Sequence, residues 1–544
     1  MRRPRRGFFL VLALLVIVVA TLSVYSFSGM MIAYDDASYL GGDLVRARVA
    51  AESGAESIRL MLSQPPITRD DSGGVFNNPN YFQAIPVSNQ DASNVCNFSV
   101  LAPNLNSEGQ LSGIRFGLQD ESARLNLNTL VAIDDNSEGL MTAIGLLAGD
   151  DASAIESSGS LATDLLLALP GMSEELADCI MDWLDEDDEQ RPFGAEVDFY
   201  STLPTPYEPA NGQLQSVEEL LLVNGMTPQL LFGADANRNG VLDPDEQQRY
   251  GVSVDSVGAL GLAAYLTVHS REVNKTFDGA LRTNVNNSDL EVLYEDLVAA
   301  LENEDYASFI CAYRIAGQAS QLAGITGQND NVASQVNSQD GGVWTADLLS
   351  NFDLSGGGGT DLTQVIDLID ATVSVEVDGR QISYRSPFDV LSAPAYLPLI
   401  MDRLTTSDAP TMPGRINVNE CPAELLYGNP FLDEEQVQLI LETRGGDTDD
   451  ENRFFETWLM VEGIVTLDQM RNLLPLLTGG GDVYRAQVVG YFETSGLSHR
   501  QEVIIDATTV NPKYVSFRDL SHLGRAFDLS VLGIRNSTTV LTSQ

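Results

Sequence analysis

The chain has 544 residues, and 77 Asp and Glu against 30 Lys and Arg give it a net charge of −47. Nucleic-acid binding draws its affinity from Lys and Arg side chains that neutralise phosphates, so this charge argues strongly against a nucleic-acid partner. Hydrophobic residues make up 44%, an ordinary share for globular cores, and the length allows several domains.

The first predicted element is a long apolar helix at the N-terminus. Four arginines lie before Gly7, and no charged side chain occurs between Gly7 and Tyr34. As a helix this run would be about 40 Å long, enough to cross a hydrocarbon core of about 30 Å. Because Lys and Arg favour the cytoplasmic side, we expect the leader in the cytoplasm and the chain beyond Tyr34 across the membrane.

Three interpretations of this run compete. A cleaved secretory signal is one, but the run is too long and lacks a small-x-small site followed by a polar break. A plain single-pass anchor is the second. The third depends on Gly7 and Phe8, because a short basic leader ending in Gly before Phe resembles the class III leader of type IV pilins and type II secretion pseudopilins. In that family a prepilin peptidase cuts after the Gly and methylates the new N-terminal Phe.

The residue at the fifth position after the expected cut is Leu12, where most pilin-like proteins carry Glu. A carboxylate at that depth costs several kcal/mol unless it is paired. In the family this Glu is thought to pair with the N-terminal amine of the subunit above. Leu therefore suits a subunit with nothing above it, and its presence resembles the large minor pseudopilin at the filament tip.

Beyond the membrane run the pattern predicts an α+β fold. Leu40 to Leu62 keep a helical spacing of apolar residues, and Pro65-Pro66 ends the helix. Strand patterns follow at four places, which are Cys96–Ala102, Leu111–Leu118, Val483–Phe492 and Gln501–Ala507. We expect a pilin-like long N-terminal helix packed on a small antiparallel sheet, with a large mainly α-helical domain inserted between the strands.

The predicted organisation has six parts. They are residues 1–7 for the basic leader, 8–34 for the transmembrane half of the helix, 35–64 for its periplasmic half, 65–137 for the first part of the pilin-like domain, 138–477 for the inserted helical domain and 478–544 for the return strands and tail. Residues 317–360 are poor in apolar residues and predict a flexible surface insertion. Four cysteines lie far apart without a CxxC pair, so zinc is not expected and disulfide pairing stays open.

Three short segments in the helical region share one plan, in which an apolar helix end meets a Gly turn and a second helix starts. They are Leu169–Leu176, Leu222–Leu230 and Met460–Asp468. These segments resemble helix-hairpin-helix units, which in many proteins hold DNA. Acidic residues such as Glu174 and Glu219 stand where DNA binding needs bases, so we interpret the units as packing elements.

Several stretches, taken in order, resemble the general secretion pathway protein K family, the large minor pseudopilins of type II secretion. They are Arg124–Asn128, Leu169–Asp187, Gly194–Tyr207, Ser216–Gly225, Arg415–Leu426 and Tyr484–Ile505. The resemblance implies a non-enzymatic subunit at the tip of a pseudopilus, anchored in the bacterial inner membrane with its bulk in the periplasm. It implies other minor pseudopilins and the prepilin peptidase as partners. The insertion around 228–380 is longer than the family leads us to expect, and Asn-Val-Asn recurs at 284–286.

The strongest local motif for chemistry is the twelve-residue segment 235–246. It fits the calcium loop D-x-[DN]-x-[DN]-G-x₅-E at every specified position. Oxygen ligands are expected from Asp235, Asn237, Asn239, the carbonyl of Val241, Asp243 and the bidentate Glu246. Two neutral Asn ligands predict weak calcium binding, on the order of 10⁻⁴ M. An acidic loop of chance composition is the alternative.

A second acidic cluster is a further candidate for a cation. It contains Asp182, Asp185, Asp187, Asp188 and Glu196. The resemblance implies calcium in the helical domain, while a solvated acidic loop explains the same residues equally well. The three histidines are scattered, and no phosphate loop or nucleophile elbow is present, so no enzymatic activity is expected.

These observations favour a minor pseudopilin that helps to initiate pseudopilus assembly. An unprocessed, membrane-anchored calcium-binding scaffold or adhesion protein is the alternative from another class. A DNA-uptake protein that uses the hairpins is a third, which the charge disfavours.

Overall fold

The computed structural model describes residues 7–87, 95–135, 160–253, 256, 258–318, 339–377, 380–445 and 451–533. Its α-helices are α1 Gly7–Leu62, α2 Pro66–Asp71, α3 Pro79–Phe82, α4 Leu130–Asp135, α5 Leu161–Leu167, α6 Glu174–Leu184, α7 Val197–Tyr200, α8 Pro228–Phe232, α9 Pro244–Tyr250, α10 Leu290–Leu301, α11 Glu304–Ala316, α12 Ala393–Arg403, α13 Ala423–Tyr427, α14 Glu434–Thr443, α15 Trp458–Val461, α16 Leu467–Leu473 and α17 Leu529–Leu532.

The β-strands, several of them only two residues long, occur throughout the chain. They are β1 Ile85–Val87, β2 Cys96–Leu105, β3 Leu111–Arg115, β4 Gln119–Asp120, β5 Leu125–Asn126, β6 Leu266–Thr267, β7 Arg271–Val273, β8 Thr283–Asn284, β9 Gln339–Val343, β10 Thr372–Val377, β11 Arg380–Arg385, β12 Leu404–Thr405, β13 Thr411–Pro413, β14 Ile416–Asn417, β15 Leu477–Thr478, β16 Val483–Phe492, β17 Ser498–Asp506 and β18 Lys513–Asp519.

The N-terminal helix α1 runs without a break through the apolar stretch and into the folded part of the chain. Its apolar side chains from Phe9 to Tyr34 are exposed, and within the described ranges α1 is the helix that is long and apolar enough to cross a membrane. The helix ends at Leu62, before Pro65-Pro66, as the sequence predicts. Gly41 and Gly42 do not interrupt it. One continuous helix therefore connects the apolar N-terminal stretch to the folded part of the chain.

The main sheet is antiparallel and draws its strands from both parts of the chain. Its order is β1-β2-β16-β17-β18, with β3 paired to β2 and β4 paired to β16. The predicted strand Val483–Phe492 has these same bounds in the structure, and Cys96–Ala102 continues to Leu105. The chain leaves this sheet after Asp120 and returns to it at Val483, so a long segment is inserted between neighbouring strands.

Helix α1 packs on this sheet at very short range. Its buried side chains, among them Ala55 and Ile58, share a core with Phe98 and Val488. A Cβ atom on Gly54 would lie 2.7 Å from both Phe98 and Val488, which is closer than packed carbon atoms approach. The missing side chain of Gly54 therefore sets the distance between the helix and the sheet.

The inserted segment is mainly helical and has one continuous core of buried side chains. A three-stranded sheet, in the order β10-β11-β9, lies within it. The flexible surface insertion at 317–360 stays a prediction, and its described part from residue 339 onwards carries a buried side chain. There Trp344 is 1% exposed, and its Nε1 donates to the hydroxyl of Ser308 at 2.9 Å. The polar composition around Trp344 gave no indication that its side chain is buried.

All four cysteines are buried free thiols: Cys96, Cys179, Cys311 and Cys421. Each belongs to a different part of the structure, with Cys96 in β2 and Cys179 in α6. Cys179 is 1% exposed on the buried face of its helix, where it packs as a small apolar residue.

The packing at Gly54 generates a first prediction. The substitution Gly54→Ala adds a methyl group against Phe98 and Val488, so we expect it to lower the stability of the folded chain by about 1–3 kcal/mol. Gly41→Ala, in the same helix with no atom within 4 Å of its Cβ position, is the control and should raise stability by a few tenths to about 1 kcal/mol. Thermal unfolding of the detergent-solubilised chains measures both, and equal effects of the two substitutions would contradict the packing argument.

Candidate functional site

The predicted cation loop, residues 235–246, follows α8 and ends in the first turn of α9. The carboxylate of Asp235 accepts the backbone N–H groups of Asn239 at 3.0 Å and Gly240 at 2.8 Å, which folds the first half of the loop around it. Gly240 has a φ of +80°, a left-handed conformation that only Gly adopts without strain. Leu242 is buried and packs in a small core with Ala234 and Ala259. The loop therefore has a tight turn at Gly240 and an inward-facing apolar residue at Leu242.

The side chains that carry the candidate ligand oxygens of this loop face one another. The Oδ2 atom of Asp243 accepts the side-chain amides of Asn237 at 2.6 Å and Asn239 at 3.0 Å. Glu246 accepts the backbone N–H groups of Asn237 and Asp243 at 3.1 Å, so its carboxylate also faces the loop. The Oδ1 atom of Asn237 is buried and has no hydrogen-bond partner among the described residues. An oxygen in that position is a ligand available to a cation.

Three of the four carboxylates in this loop are predicted ligands, and their negative charges repel one another. Burial raises the pKa of Asp235 to about 6, and the negative charge of Glu246 adds to the shift. In the described part of the chain no three Asp, Glu, His or Cys side chains alone converge tightly enough to hold a metal ion. A site here requires the amide oxygens of Asn237 and Asn239 and the carbonyl of Val241 as well. That mixed oxygen set suits Ca²⁺, which takes six to eight oxygens.

The loop is attached directly to the main sheet. The guanidinium of Arg500, on β17, donates to the carbonyl of Asn237 at 2.5 Å, and the amide of Asn239 donates to the carbonyl of Ala526 at 3.0 Å. Gln487, on β16, donates to the carbonyl of Arg238. The sequence offered no signal for Arg500 or Gln487, because they lie far along the chain from the loop.

The second candidate site is organised by an arginine. Arg191 donates to Asp182 at 3.1 Å, to Asp134 at 3.3 Å and also to Asp185. Asp182 is fully buried, whereas Asp187 is exposed and accepts the backbone N–H of Glu189. The structure thus brings Asp182 and Asp185 together but leaves Asp187 outside. A metal at this cluster stays a prediction, and it would compete with the guanidinium of Arg191. The basic residue next to an acidic run was a signal that sequence reasoning missed.

Glu196, the fourth predicted ligand of this cluster, is 4% exposed. Both of its carboxylate oxygens are buried without a hydrogen-bond partner among the described residues. Burial, together with the negative charges of Asp182 and Asp185, raises the pKa of Glu196 to about 7. In the absence of a cation this carboxyl group is therefore protonated over much of the acidic range.

The predicted processing site lies at the start of α1. Gly7 is the first residue of the helix, while the side chain of Phe8 lies outside the described residues. Leu12 is half exposed on the apolar surface of the helix. The structure places no charged side chain between Phe9 and Tyr34.

The three predicted Gly turns of the helical region have a shared geometry. Each turn has a Gly with positive φ, and these are Gly171, Gly225 and Gly463. Each is followed by a capped helix, because the hydroxyls of Ser173, Thr227 and Thr466 accept the backbone N–H three residues on. The local turns are as predicted, and their assignment as helix-hairpin-helix units stays a prediction.

Comparison with known proteins identifies the family of one segment. Residues 123–232 match the family model described as type II secretion system, protein K. Among solved structures, the chain is similar to one in the crystal structure of the GspK-GspI-GspJ complex from the enterotoxigenic Escherichia coli type 2 secretion system. The two share 12% identity with a TM-score of 0.27, over 90% of this chain and 98% of that chain. A search of curated proteins found no match. The predicted family resemblance is confirmed for residues 123–232.

The pKa of Glu196 generates a second prediction. A carboxyl whose folded pKa is raised contributes stability below its unfolded pKa of about 4.5, and that contribution is lost as pH rises through about 7. The free energy of unfolding of the unsubstituted chain should fall by roughly 2–3 kcal/mol between pH 4.5 and pH 7.5. We expect Glu196→Gln to abolish this fall. Unfolding with denaturant in the presence of a chelator measures this difference.

The exposed neighbour Glu189 provides the matched control for that experiment. Glu189→Gln should leave the dependence of unfolding free energy on pH unchanged, because Glu189 is exposed. If Glu196→Gln and Glu189→Gln gave the same profile as the unsubstituted chain, the carboxyl of Glu196 would not be the titrating group.

Proposed function

We infer that this chain, whose residues 123–232 belong to the protein K family of type II secretion, is a minor pseudopilin of that secretion system. The family match carries this conclusion, since its range includes the Arg-Leu-Asn-Leu-Asn segment and the acidic cluster of the inserted region. The long helix α1 supports it, because one half is apolar and exposed while the other half packs on an antiparallel sheet. The role is structural, and no catalytic step is assigned to the chain.

The finer proposal is that the chain is the tip subunit that helps to start pseudopilus assembly in the periplasm. Leu12 supports this position, because a subunit with nothing above it has no N-terminal amine for a buried carboxylate to pair with. Other minor pseudopilins are the proposed partners in a tip complex. The inserted region, which leaves the sheet after Asp120 and returns at Val483, adds bulk that suits the end of a filament rather than its shaft.

The proposed orientation has the basic leader in the cytoplasm and the folded part in the periplasm. The four arginines before Gly7 support it through the positive-inside rule. The prepilin peptidase of the inner membrane is proposed to cut between Gly7 and Phe8. The competing proposal is an unprocessed scaffold or adhesion protein with the same anchor. Such a protein would retain the leader, residues 1–7.

Calcium is the proposed cofactor of the loop 235–246. Asp235, Asn237, Asn239, Asp243 and Glu246 would hold it with side-chain oxygens, and Val241 with its carbonyl. When bound, the ion neutralises carboxylates that the fold holds close together. Because Arg500 and Gln487 tie this loop to the main sheet, ordering the loop would also stiffen the junction between the sheet and the inserted region.

The proposed processing predicts a definite N-terminus. Mass spectrometry of the chain purified from cells with the secretion system should find a methylated Phe8 as the first residue. The substitution Gly7→Val should block the cut, whereas Gly29→Ala, a change at an exposed Gly in the same apolar helix, should leave processing intact. Met1 retained in the unsubstituted chain would support the unprocessed anchor instead.

The calcium proposal predicts a stability difference between two neighbouring acids. At 10 mM calcium, about 100 times a dissociation constant on the order of 10⁻⁴ M, binding should add about 2.7 kcal/mol to the stability of the folded chain. Glu246→Gln removes a ligand charge while keeping an acceptor for the helix cap, and it should abolish most of this gain. Asp245→Asn, at an exposed position outside the ligand set, should keep it.

Thermal unfolding with and without a chelator measures these gains. An equal response of both variants to calcium would contradict the assignment of the loop, and no response of the unsubstituted chain would contradict calcium binding there.

A further inference from the structure

The segment Arg-x-Asn-x-Asn occurs three times in the chain, and each copy has a distant Leu-Thr partner. The copies are Arg124–Asn128, Arg282–Asn286 and Arg415–Asn419, and the Leu-Thr pairs are Leu266–Thr267, Leu404–Thr405 and Leu477–Thr478. In every case the two segments form a two-residue parallel strand pair, in which the first Asn lies opposite the Thr: Asn126 with Thr267, Asn284 with Thr405 and Asn417 with Thr478. We refer to residues 124–267 as unit 1, 282–405 as unit 2 and 415–478 as unit 3.

The second Asn of each copy makes the same pair of hydrogen bonds. Its side-chain amide donates to the carbonyl of the residue after the Thr and to the carbonyl of a residue in the middle of the unit. The acceptors are Val268 and Leu214 for Asn128, Thr406 and Leu362 for Asn286, and Gly479 and Arg453 for Asn419. The distances lie between 2.8 and 3.3 Å. One partly buried amide thus closes each unit in the same way.

The arginine and a backbone turn repeat as well. The guanidinium donates to a carbonyl three or four residues before the Thr, which is Ala263 for Arg124, Asp402 for Arg282 and Leu474 for Arg415. A positive φ recurs five residues after a buried apolar residue, at Gly225 after Leu220, at Asp370 after Val365 and at Gly463 after Trp458. Asp370 has a φ of +54°, which is unfavourable for a non-Gly residue. Its place in the repeat accounts for this conformation.

Unit 2 is inserted between the other two with its ends side by side. The strands β7 and β13, which flank it, pair in antiparallel fashion from Arg271 opposite Pro413 to Val273 opposite Thr411. The next residue, Asn274, donates its backbone N–H to the carbonyl of Pro410 at 3.0 Å. The chain therefore enters and leaves unit 2 at one point, as it does in a long hairpin.

We propose that the inserted region consists of three copies of one folding unit, and that unit 2, although its buried side chains belong to the core shared by all three units, opens independently of units 1 and 3. The candidate calcium loop lies in unit 1, and the anchor and main sheet lie outside all three units. Unit 2 is thus the part of the chain that could vary without disturbing the helix α1, the main sheet or the loop. This accounts for a helical region that is longer than the family resemblance leads us to expect.

The buried thiols make the proposal testable, because each unit contains one. Cys179 lies in unit 1, Cys311 in unit 2 and Cys421 in unit 3, while Cys96 lies in the main sheet. The experiment labels the full detergent-solubilised chain with a thiol reagent in mild urea and reads each site by mass spectrometry. Local opening of one unit exposes its own thiol while the others stay protected.

The matched variants remove the closing amide of one unit at a time. Asn286→Ala should raise the labelling rate of Cys311 at least tenfold and leave the rates of Cys179 and Cys421 unchanged. Asn128→Ala should give the reverse pattern, with Cys179 labelled faster and Cys311 unchanged. If either variant exposed the thiols of all three units at the same rate, the units would be one cooperative body and the proposal would be wrong.

A second variant excises unit 2. Replacing residues 275–409 by Asn-Gly closes the strands β7 and β13 with a two-residue hairpin turn. Cys96, Cys179 and Cys421 should then stay as protected as in the full chain. The control replaces residues 260–394, a segment of equal length that removes the Leu-Thr of unit 1, and it should expose Cys179. Exposure of Cys179 and Cys421 by both excisions would overturn the modular arrangement.

Discussion

Two consecutive acidic residues, Asp120 and Glu121, hold the point where the inserted region leaves and rejoins the sheet. The carboxylate of Asp120 accepts the backbone N–H of Gly481 at 2.7 Å and the amide of Asn417 at 2.8 Å. Glu121 is fully buried and pairs with Arg485 at 2.5 Å. Burial alone would raise its pKa, but the charges of Arg485 and Arg124 lower the pKa of Glu121 to about 2. Removing one partner of such a buried pair costs about 3–5 kcal/mol, so the closure of the whole insertion depends on this contact.

Several of the few basic residues of this acidic chain form ion pairs and hydrogen bonds inside the fold. Arg485 closes the insertion, Arg191 neutralises the buried acids of α6, and Arg500 attaches the candidate calcium loop to the sheet. With 77 acids against 30 bases, many acidic side chains, such as Asp187 and Asp245, lie exposed on an acidic surface. Such a surface keeps the protein soluble and attracts cations, which suits a calcium loop of modest affinity. The sheet, the insertion and the loop are thus joined by a small number of partly or fully buried arginines.

Local sequence patterns predicted the elements that are determined by residues close together in the chain. The apolar run predicted α1, alternation predicted the strand Val483–Phe492, and the loop 235–246 was visible because its donors are contiguous. Contacts between distant residues were not predictable in this way. Nothing near Asn126 points to Thr267, and a single Trp344 in a polar stretch gave no periodic signal for burial. The repeat at Asn-Val-Asn 284–286 was visible in the sequence, but only the strand pairs showed what it closes.

The central claim is that this chain occupies the end of a pseudopilus. The most direct measurement is electron microscopy of pseudopili from cells that carry an epitope tag after Gln544, with gold-labelled antibody against the tag. The account predicts a single label at one end of each filament, because Leu12 and the bulk of the inserted region suit a subunit with nothing above it. Labels repeated along the shaft, with other subunits at the end, would contradict the account.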